Sequence, residues 1–403
     1  MMKSKKTVGI ICEYNPFHGG HKYQIDEIKR MGFDRVVCVM SGNTVQRGGF
    51  AITDKYTRAR MAIKGGADLV LELPYPYSAS SAETFALAGV RILENADVDA
   101  ICFGSECGDI EKLKIAADTC DSESFSECYK ALVSSGVGTA KAYFDAYKTI
   151  SGEALPGGAN DLLGIAYLRA LEKENSKIEP IALKRMGSDY RDDTVTDNMT
   201  GYPSATMLRN YLYENGMDER FADLVPSETS EAFRKAETEG SAPVKMSELD
   251  TAVVSMLRLA GASKLENIAD IGGGLGEKIL SAAQSVTSYD GLISAVSGKN
   301  YPDARVRRAV LNILIGVTAE DVKAYPAYTF VLGFNEKGRE ILSELRKKEK
   351  IPFVTKPADT ELIGNTAVRQ RYLDRCVEAL FTLATPVKTD SGEYIRKSPI
   401  VVK

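Results

Sequence analysis

Over its first 110 residues the chain alternates short apolar runs with amphipathic stretches. TVGIICEY (7–14), RVVCVMSGN (35–43), DLVLELP (68–74) and DAICFGSE (99–106) are near-continuous apolar runs, each ending in small or polar residues. Between them lie HKYQIDEIKRMG (21–32), DKYTRARMAIKGG (54–66) and SAETFALAGVRILENA (81–96). In the first of these, Ile25, Ile28 and Met31 recur at helical spacing. Buried strands that alternate with helices predict an α/β fold: a doubly wound parallel sheet covered on both faces. In such sheets ligands collect beyond the carboxyl ends of the strands, at the point where strand order reverses. The polar strand ends 13–15, 41–43, 72–74 and 104–106 are therefore expected to converge there, although loops are polar for other reasons too.

After about residue 225 the pattern changes. SETSEAFRKAETEGSAP (227–243) reads as a helix plus linker, and helical patterns follow in MSELDTAVVSMLRLAG, GEKILSAAQSV and ARVRRAVLNILIG. YTFVLGF, NEKGREILSELRKKEK and IPFVT form a small strand–helix–strand piece, and AVRQRYLDRCVEALFTLA is a long amphipathic helix. The 403 residues are too many for one ordinary core. We expect a Rossmann-like domain over residues 1–225 and a mainly α-helical domain over 226–403.

Composition narrows the function classes. Hydrophobic residues make up 44% and charged residues 26%, as in ordinary globular proteins. No run of 18 apolar residues is present, so no membrane span is expected. The apolar start TVGII is interrupted by Glu13 and reads as a buried strand, not a signal peptide. Seven cysteines without CxxC pairs fit reduced thiols in a cytoplasmic protein. The net charge of −4 argues against non-specific coating of nucleic acid but leaves room for a local basic face. From residue 331 on, Lys and Arg number 14 against 10 Asp and Glu. Basic clusters occur at Arg305, Arg307 and Arg308, at Arg346 to Lys348 with Lys350, and at Arg369, Arg371 and Arg375. Each suits phosphate-backbone contact or is a solvated helix face.

The chain has two histidines, His18 and His21, and both sit in EYNPFHGGHKYQI (13–25). Gly19 and Gly20 let the backbone approach a ligand closely. The helix starting near His21 aims free N–H groups and a positive dipole end at the same spot, which suits phosphate. Imidazole donors work best where charge grows on phosphate oxygens in the transition state. Neither a Walker loop nor GxGxxG is present. A metal site is a weaker reading, because no third His and no Cys cluster accompanies the pair; no metal ligands are assigned.

H-x-G-H after the first strand resembles the signature of the nucleotidyltransferase superfamily that includes class I aminoacyl-tRNA synthetases. Taken in order, GIICEYNPFHGGH, MSGNTVQRG, GADLVLELP and FGSE resemble the bacterial tRNA(Met) cytidine acetate ligase family, as do GGANDLLGIAYL, RMGSDY, SATMLR, VLGFNEKGRE and TKPAD. The likeness covers nearly the whole chain. One departure is Gly19, where that family commonly has Asn. The resemblance implies that acetate attacks the α-phosphorus of ATP to give acetyl-adenylate. The N4 amine of the wobble cytidine of elongator tRNA(Met) then takes the acetyl group. It implies His18 and His21 as catalytic, and Mg2+ escorting the triphosphate.

The nucleotide-binding set that follows is Ile11, Cys12, Glu13, Tyr14, Asn15, Pro16, Phe17, His18, Gly19, Gly20, His21, Lys22, Tyr23, Gln24, Gly104, Asn160, Arg185, Met186, Ser204, Thr206 and Arg209. Gly104 reads alternatively as a strand-end turn, Asn160 as a helix N-cap, and Ser204 as an N-cap as well. Arg47 meets phosphate or RNA, or is simply exposed. Two other functions stay open on the sequence: an adenylyltransferase for a small phosphorylated acceptor, and a non-catalytic RNA-binding protein on the same fold. The large second half counts against the former, and the intact His18–His21 turn against the latter.

Overall fold

A computed structural model describes residues 5–186, 202–346 and 350–403. Positions 187–190 of RMGSDY, and Lys347 and Lys348 of one basic cluster, lie outside the described residues. The four expected strands are present as β1 (Thr7–Cys12), β2 (Arg35–Ser41), β5 (Leu69–Leu73) and β6 (Ala100–Ser105), with β7 at Glu179–Lys184. A small hairpin, β3 (Thr44–Val45) and β4 (Gly49–Phe50), interrupts the second crossover.

The strand order β5-β2-β1-β6-β7 is wholly parallel. The chain builds outward from β1 through β2 to β5, then returns to lay β6 on the other side of β1. The reversal opens a crevice between the carboxyl ends of β1 and β6. Alternating side chains feed two cores. Val8, Ile10, Val36, Cys38, Met40 and Val70 point to one face, whereas Ile11, Val37, Val39, Leu69 and Leu71 point to the other. Helices Gly19–Arg30 and Lys55–Lys64 cover the first face, and Ala82–Asn95 and Ala159–Lys173 the second.

The strand–helix–strand piece expected in the second half does not stand apart. Its first strand, β8 (Thr329–Phe334), pairs antiparallel with β5, with β9 (Phe353–Val354) and β10 (Ile400–Val401) parallel to β8. The sheet therefore carries an antiparallel extension beyond its parallel part. β5 is buried along its whole length, and β8 covers what would be an exposed apolar edge. One core runs from Val36 through Phe233 and Leu292 to Phe381.

A buried ionic cluster ties the second half to the strand ends. Lys55 Nζ lies 2.9 Å from both carboxylate oxygens of Glu72 and 3.1 Å from Glu378 Oε1 of the helix Asn365–Ala384. Arg371 Nη1 lies 3.0 Å from the other oxygen of Glu378. Burial alone would lower the Lys55 ammonium, but the two carboxylates outweigh it and raise it. Replacing Lys55 by Met leaves buried Glu72 without its bonded cation and Glu378 with Arg371 alone. We expect Lys55→Met to cost ~3–5 kcal/mol in chemical denaturation, and an unchanged unfolding midpoint would show that the cluster does not hold the halves together.

Candidate active site

The turn after β1 is fastened at almost every residue. Arg58, fully buried on the helix Lys55–Lys64, donates to the carbonyls of Glu13 (2.7 Å), Ser41 (3.0 Å), Thr53 (3.1 Å) and Gly42. Burial pushes Arg58 down to about 10, partly offset by Asp54 and Glu13, so it stays charged at neutral pH. Asn15 Oδ1 accepts from Ile52 N at 2.7 Å, and its carbonyl accepts from Arg209 at 2.9 Å. Phe17 O accepts from Thr229 Oγ1 at 2.9 Å. Tyr14, with φ +45°, turns the chain sharply. Its ring meets Phe17 edge-on at 4.9 Å and lies 4.7 Å from His21.

His18 is the N-cap of the helix Gly19–Arg30, and the two histidines form a capping box. Gly20 N donates to His18 Nδ1 at 3.1 Å, and His18 N donates to His21 Nδ1 at 3.2 Å. An Nδ1 that accepts from a backbone N–H cannot carry a proton. Both neutral rings therefore hold their proton on Nε2, leaving Nε2–H as the remaining donor of each. The rings stack with centroids 3.7 Å apart. Burial, then Arg185 and Arg209, lower His18 to about 3. Burial, then His18 and Arg185, hold His21 well below its ordinary value. The turn thus presents two neutral donors beside two arginines.

Arg185 reaches this place from the end of β7, its N–H bonded to Ser105 O at 3.0 Å. A Cβ on Gly104 would touch Arg185 Cγ at 3.4 Å, so Gly104 faces that side chain. Arg209 also donates to Thr206 Oγ1 at 3.1 Å, and Ser204 caps the helix Ala205–Asn215 by accepting from Met207 N at 3.2 Å. Glu13 turns outward to accept from Gln46 N at 2.7 Å. Tyr202 lies over Gly19: a Cβ there would collide with the edge of the tyrosine ring, so the space of the absent Asn side chain is filled. Tyr23 lies 6.4 Å from the same ring.

Other expected site residues serve the scaffold. Ile11, Cys12, Tyr14 and Phe17 are core, and burial pushes the Cys12 thiol up. Pro16 is buried behind the turn. Gln24 donates to Cys102 O at 3.0 Å, pinning the helix to β6. Lys22 lies 3.3 Å from Asp26, and Met186 is exposed. Asn160 is neither the N-cap nor free. Gly158 is the cap, and Glu106 takes both the Asn160 amide at 2.6 Å and the N–H of Asp161 at 2.8 Å. Sequence reading missed Arg58 and Tyr202, and placed Glu106 at the strand ends without its role. Arg58 is one of four cations on the helix Lys55–Lys64, so no local signal marks it.

The sequence model described as HIGH Nucleotidyl Transferase matches residues 5–391. The fold and the turn at its switch point thus define a nucleotidyltransferase of the H-x-G-H class. Among curated proteins, the tRNA(Met) cytidine acetate ligase of Acetivibrio thermocellus is 36% identical over 371 residues, covering 88% of this chain and 89% of that protein. That of Caldanaerobacter subterraneus subsp. tengcongensis is 39% identical over 363 residues, again 88% and 89%. Crystal structures of Thermotoga maritima TmcAL superpose with TM-scores of 0.92 (apo, form I) and 0.89 (bound with alpha-thio ATP, form II). Each is 29% identical and covers 98% of this chain and 99% of that one. The chain belongs to the tRNA(Met) cytidine acetate ligase family.

The paired neutral histidines make a direct prediction. The unfolded chain takes protons on imidazole near pH 6.5, whereas folded His18 does not until about pH 3. Stability from this source is therefore full above pH 6.5 and falls as pH drops towards 3. With two histidines in the chain, the imidazole NMR signals are easily assigned. Neither should titrate between pH 8 and 5, and both should show the Nε2–H tautomer. A midpoint near 6.5 for either would contradict this geometry.

Proposed function

We propose that the protein is an ATP-dependent ligase that activates acetate as acetyl-adenylate and transfers the acetyl group to N4 of the wobble cytidine of elongator tRNA(Met). The observation that carries this is the turn itself: two neutral Nε2–H donors with Arg185 and Arg209 at the crevice between β1 and β6. Family membership supports the substrates, and the ATP-analogue complex of the Thermotoga maritima relative supports the nucleotide.

In the first step an acetate oxygen bonds to the α-phosphorus as the bond to pyrophosphate breaks. Negative charge grows on the non-bridging oxygens, where the two imidazole N–H groups donate without first losing a proton. Their depressed basicity keeps them donors, not acids, across neutral pH. Arg185 and Arg209 supply the positive charge that the histidines lack. In the second step the cytidine amine adds to the acetyl carbonyl, loses a proton, and AMP leaves. No protein nucleophile is needed, and the buried thiols of Cys12 and Cys102, both pushed up by burial, are poor ones.

Among the described residues no group of three or more His, Cys, Asp or Glu is placed to hold a metal. Magnesium would accompany the triphosphate and neutralise part of its charge; no protein ligand set and no step are assigned to it. Residues 1–225 carry the ATP chemistry in this reading and 226–403 the RNA. The seven cysteines carry no disulfide, which suits a cytoplasmic enzyme. No helix among the described residues is long and apolar enough to cross a membrane.

The purified protein should exchange pyrophosphate into ATP when acetate is present, and acetylate a tRNA(Met) transcript. His21→Ala should reduce exchange by about 100-fold or more while transcript binding persists. Absence of acetate-dependent exchange in the unaltered protein would overturn the reading.

A further inference from the structure

We infer that the RNA substrate is led to the site across one basic face, formed by Arg47 in the loop between β3 and β4 and by Arg305 and Arg307 on the helix Asp303–Ile315. This inference rests on the reading above that the second substrate is an RNA. It selects one of the basic clusters, which the sequence did not.

The selection comes from how the second half is bolted to the catalytic strands. Gln46 is held on one side by Glu13, whose carboxylate accepts its N–H at 2.7 Å. On the other side its carbonyl accepts from Arg308 Nη1 at 3.3 Å. Two residues on, Gly48 has φ +75°, and a Cβ there would lie 2.8 Å from the carbonyl carbon of Arg307 and 2.9 Å from its Cβ. Loop and helix are therefore in backbone contact, with no space for one to slide on the other. The helix is fixed within two bonded contacts of the residue that ends β1, and Glu13 is five positions before His18.

The arginines of this helix divide their work. Arg308 is buried, pairs with Asp270 at 3.4 Å and serves as the bolt. Arg305 and Arg307 keep 26% and 33% of their side-chain surface exposed. Arg305 bonds Asp270 at 3.1 Å and Gly272 O at 3.0 Å, which fixes its direction. The nearest carboxylate to Arg307 is Asp290 at 3.9 Å. Arg47 is exposed one residue before Gly48, whose backbone packs on this helix, and its charge also acts on Arg209 at the histidine turn. Tyr301 adds a half-buried ring with Lys278 at 5.4 Å and Arg305 at 5.7 Å from its centre, next to the exposed backbone of Gly272 to Gly274. Cations around an aromatic ring, with bare backbone alongside, suit a single-stranded loop: phosphates on the arginines and an unstacked base on the ring.

Among the described residues, those of the other clusters lack this connection. Arg369 is bonded to Asp321 and Gly316 O, both at 2.8 Å, much as Arg305 is held, but it lies on the helix Asn365–Ala384 and takes no part in the Glu13–Gln46–Arg308 link. Arg371 is buried against Glu378. Lys350 belongs to the strand–helix–strand extension, its N–H bonded to Asn95 at the opposite face of the sheet. Arg375 is exposed on the helix Asn365–Ala384 and makes a control.

The test uses the full chain and an elongator tRNA(Met) transcript. Arg307→Glu and Arg47→Glu should each weaken transcript binding by about tenfold and reduce the salt slope of log Kd by about one. In Arg307→Glu, acetate-dependent exchange without RNA should stay within about twofold of the parent, and Arg375→Glu should behave as the parent in both assays. Parental transcript affinity in Arg307→Glu and Arg47→Glu would overturn the inference, and so would a loss confined to Arg375→Glu. Loss of RNA-free exchange in Arg307→Glu would also overturn it, by showing that this face belongs to the fold or to adenylation. If the parent exchanges with acetate but does not bind the transcript, this inference fails while the adenylation step stands. If the parent shows no exchange, the proposed function fails first.

Discussion

Four backbone carbonyls from three stretches of chain converge on the guanidinium of Arg58. Parallel strands run out at one end of the sheet with their last carbonyls unpaired, and the site must sit there because the crevice does. Each carbonyl left buried and unpaired would cost ~1–3 kcal/mol. Arg58 answers most of them at once. Its five donors in a rigid fork do what a lysine's single ammonium cannot. In doing so it fixes Glu13 against the end of β2, and with it the start of the His18–His21 turn. Asn15 and Phe17 are then tied off by Ile52, Arg209 and Thr229.

A turn held this firmly can keep two imidazoles stacked and neutral. Either ring alone in water would be half protonated near pH 6.5. Here each Nδ1 is occupied by a backbone N–H, so proton position is decided by hydrogen bonding and not by pH. The separation of tasks is physical. Fixed charge comes from Arg185 and Arg209, and directional donors come from the histidines. The same firmness extends outward through Glu13 and Gln46 to Arg308, so the second half meets the site at a defined place.

Much of the fold was legible because periodicity is a local property. The four early strands and their helices appear within a residue or two of their expected bounds, and Ser204 is the cap that the SATMLR pattern indicates. The histidine turn was legible because its chemistry is compressed into four residues. What escaped depends on contacts distant in sequence. β8 completes the sheet by covering β5, about 260 residues away, which no local pattern encodes. Asn160 read as a nucleotide contact with an N-cap as the rival, and the cap reading fails because Glu106, just after β6, takes both its amide and the N–H of Asp161. Gly19 looked like a loss, yet Tyr202 occupies the vacated space from another part of the chain. Arg58 is one of four cations on its helix and nothing local sets it apart, since its partners are carbonyls and carbonyls have no letter in a sequence.

Arg58 sets the geometry of the histidine turn without touching substrate. Arg58→Lys keeps the charge and removes the fork. Misplacement of about an ångström at a reacting centre costs ~100-fold in rate. Acetate-dependent ATP–pyrophosphate exchange by Arg58→Lys is the most direct measurement, made alongside a thermal melt that confirms cooperative unfolding. The expected result is a folded protein whose exchange rate falls by about two orders of magnitude. A folded Arg58→Lys protein exchanging within about twofold of the parent rate would contradict it.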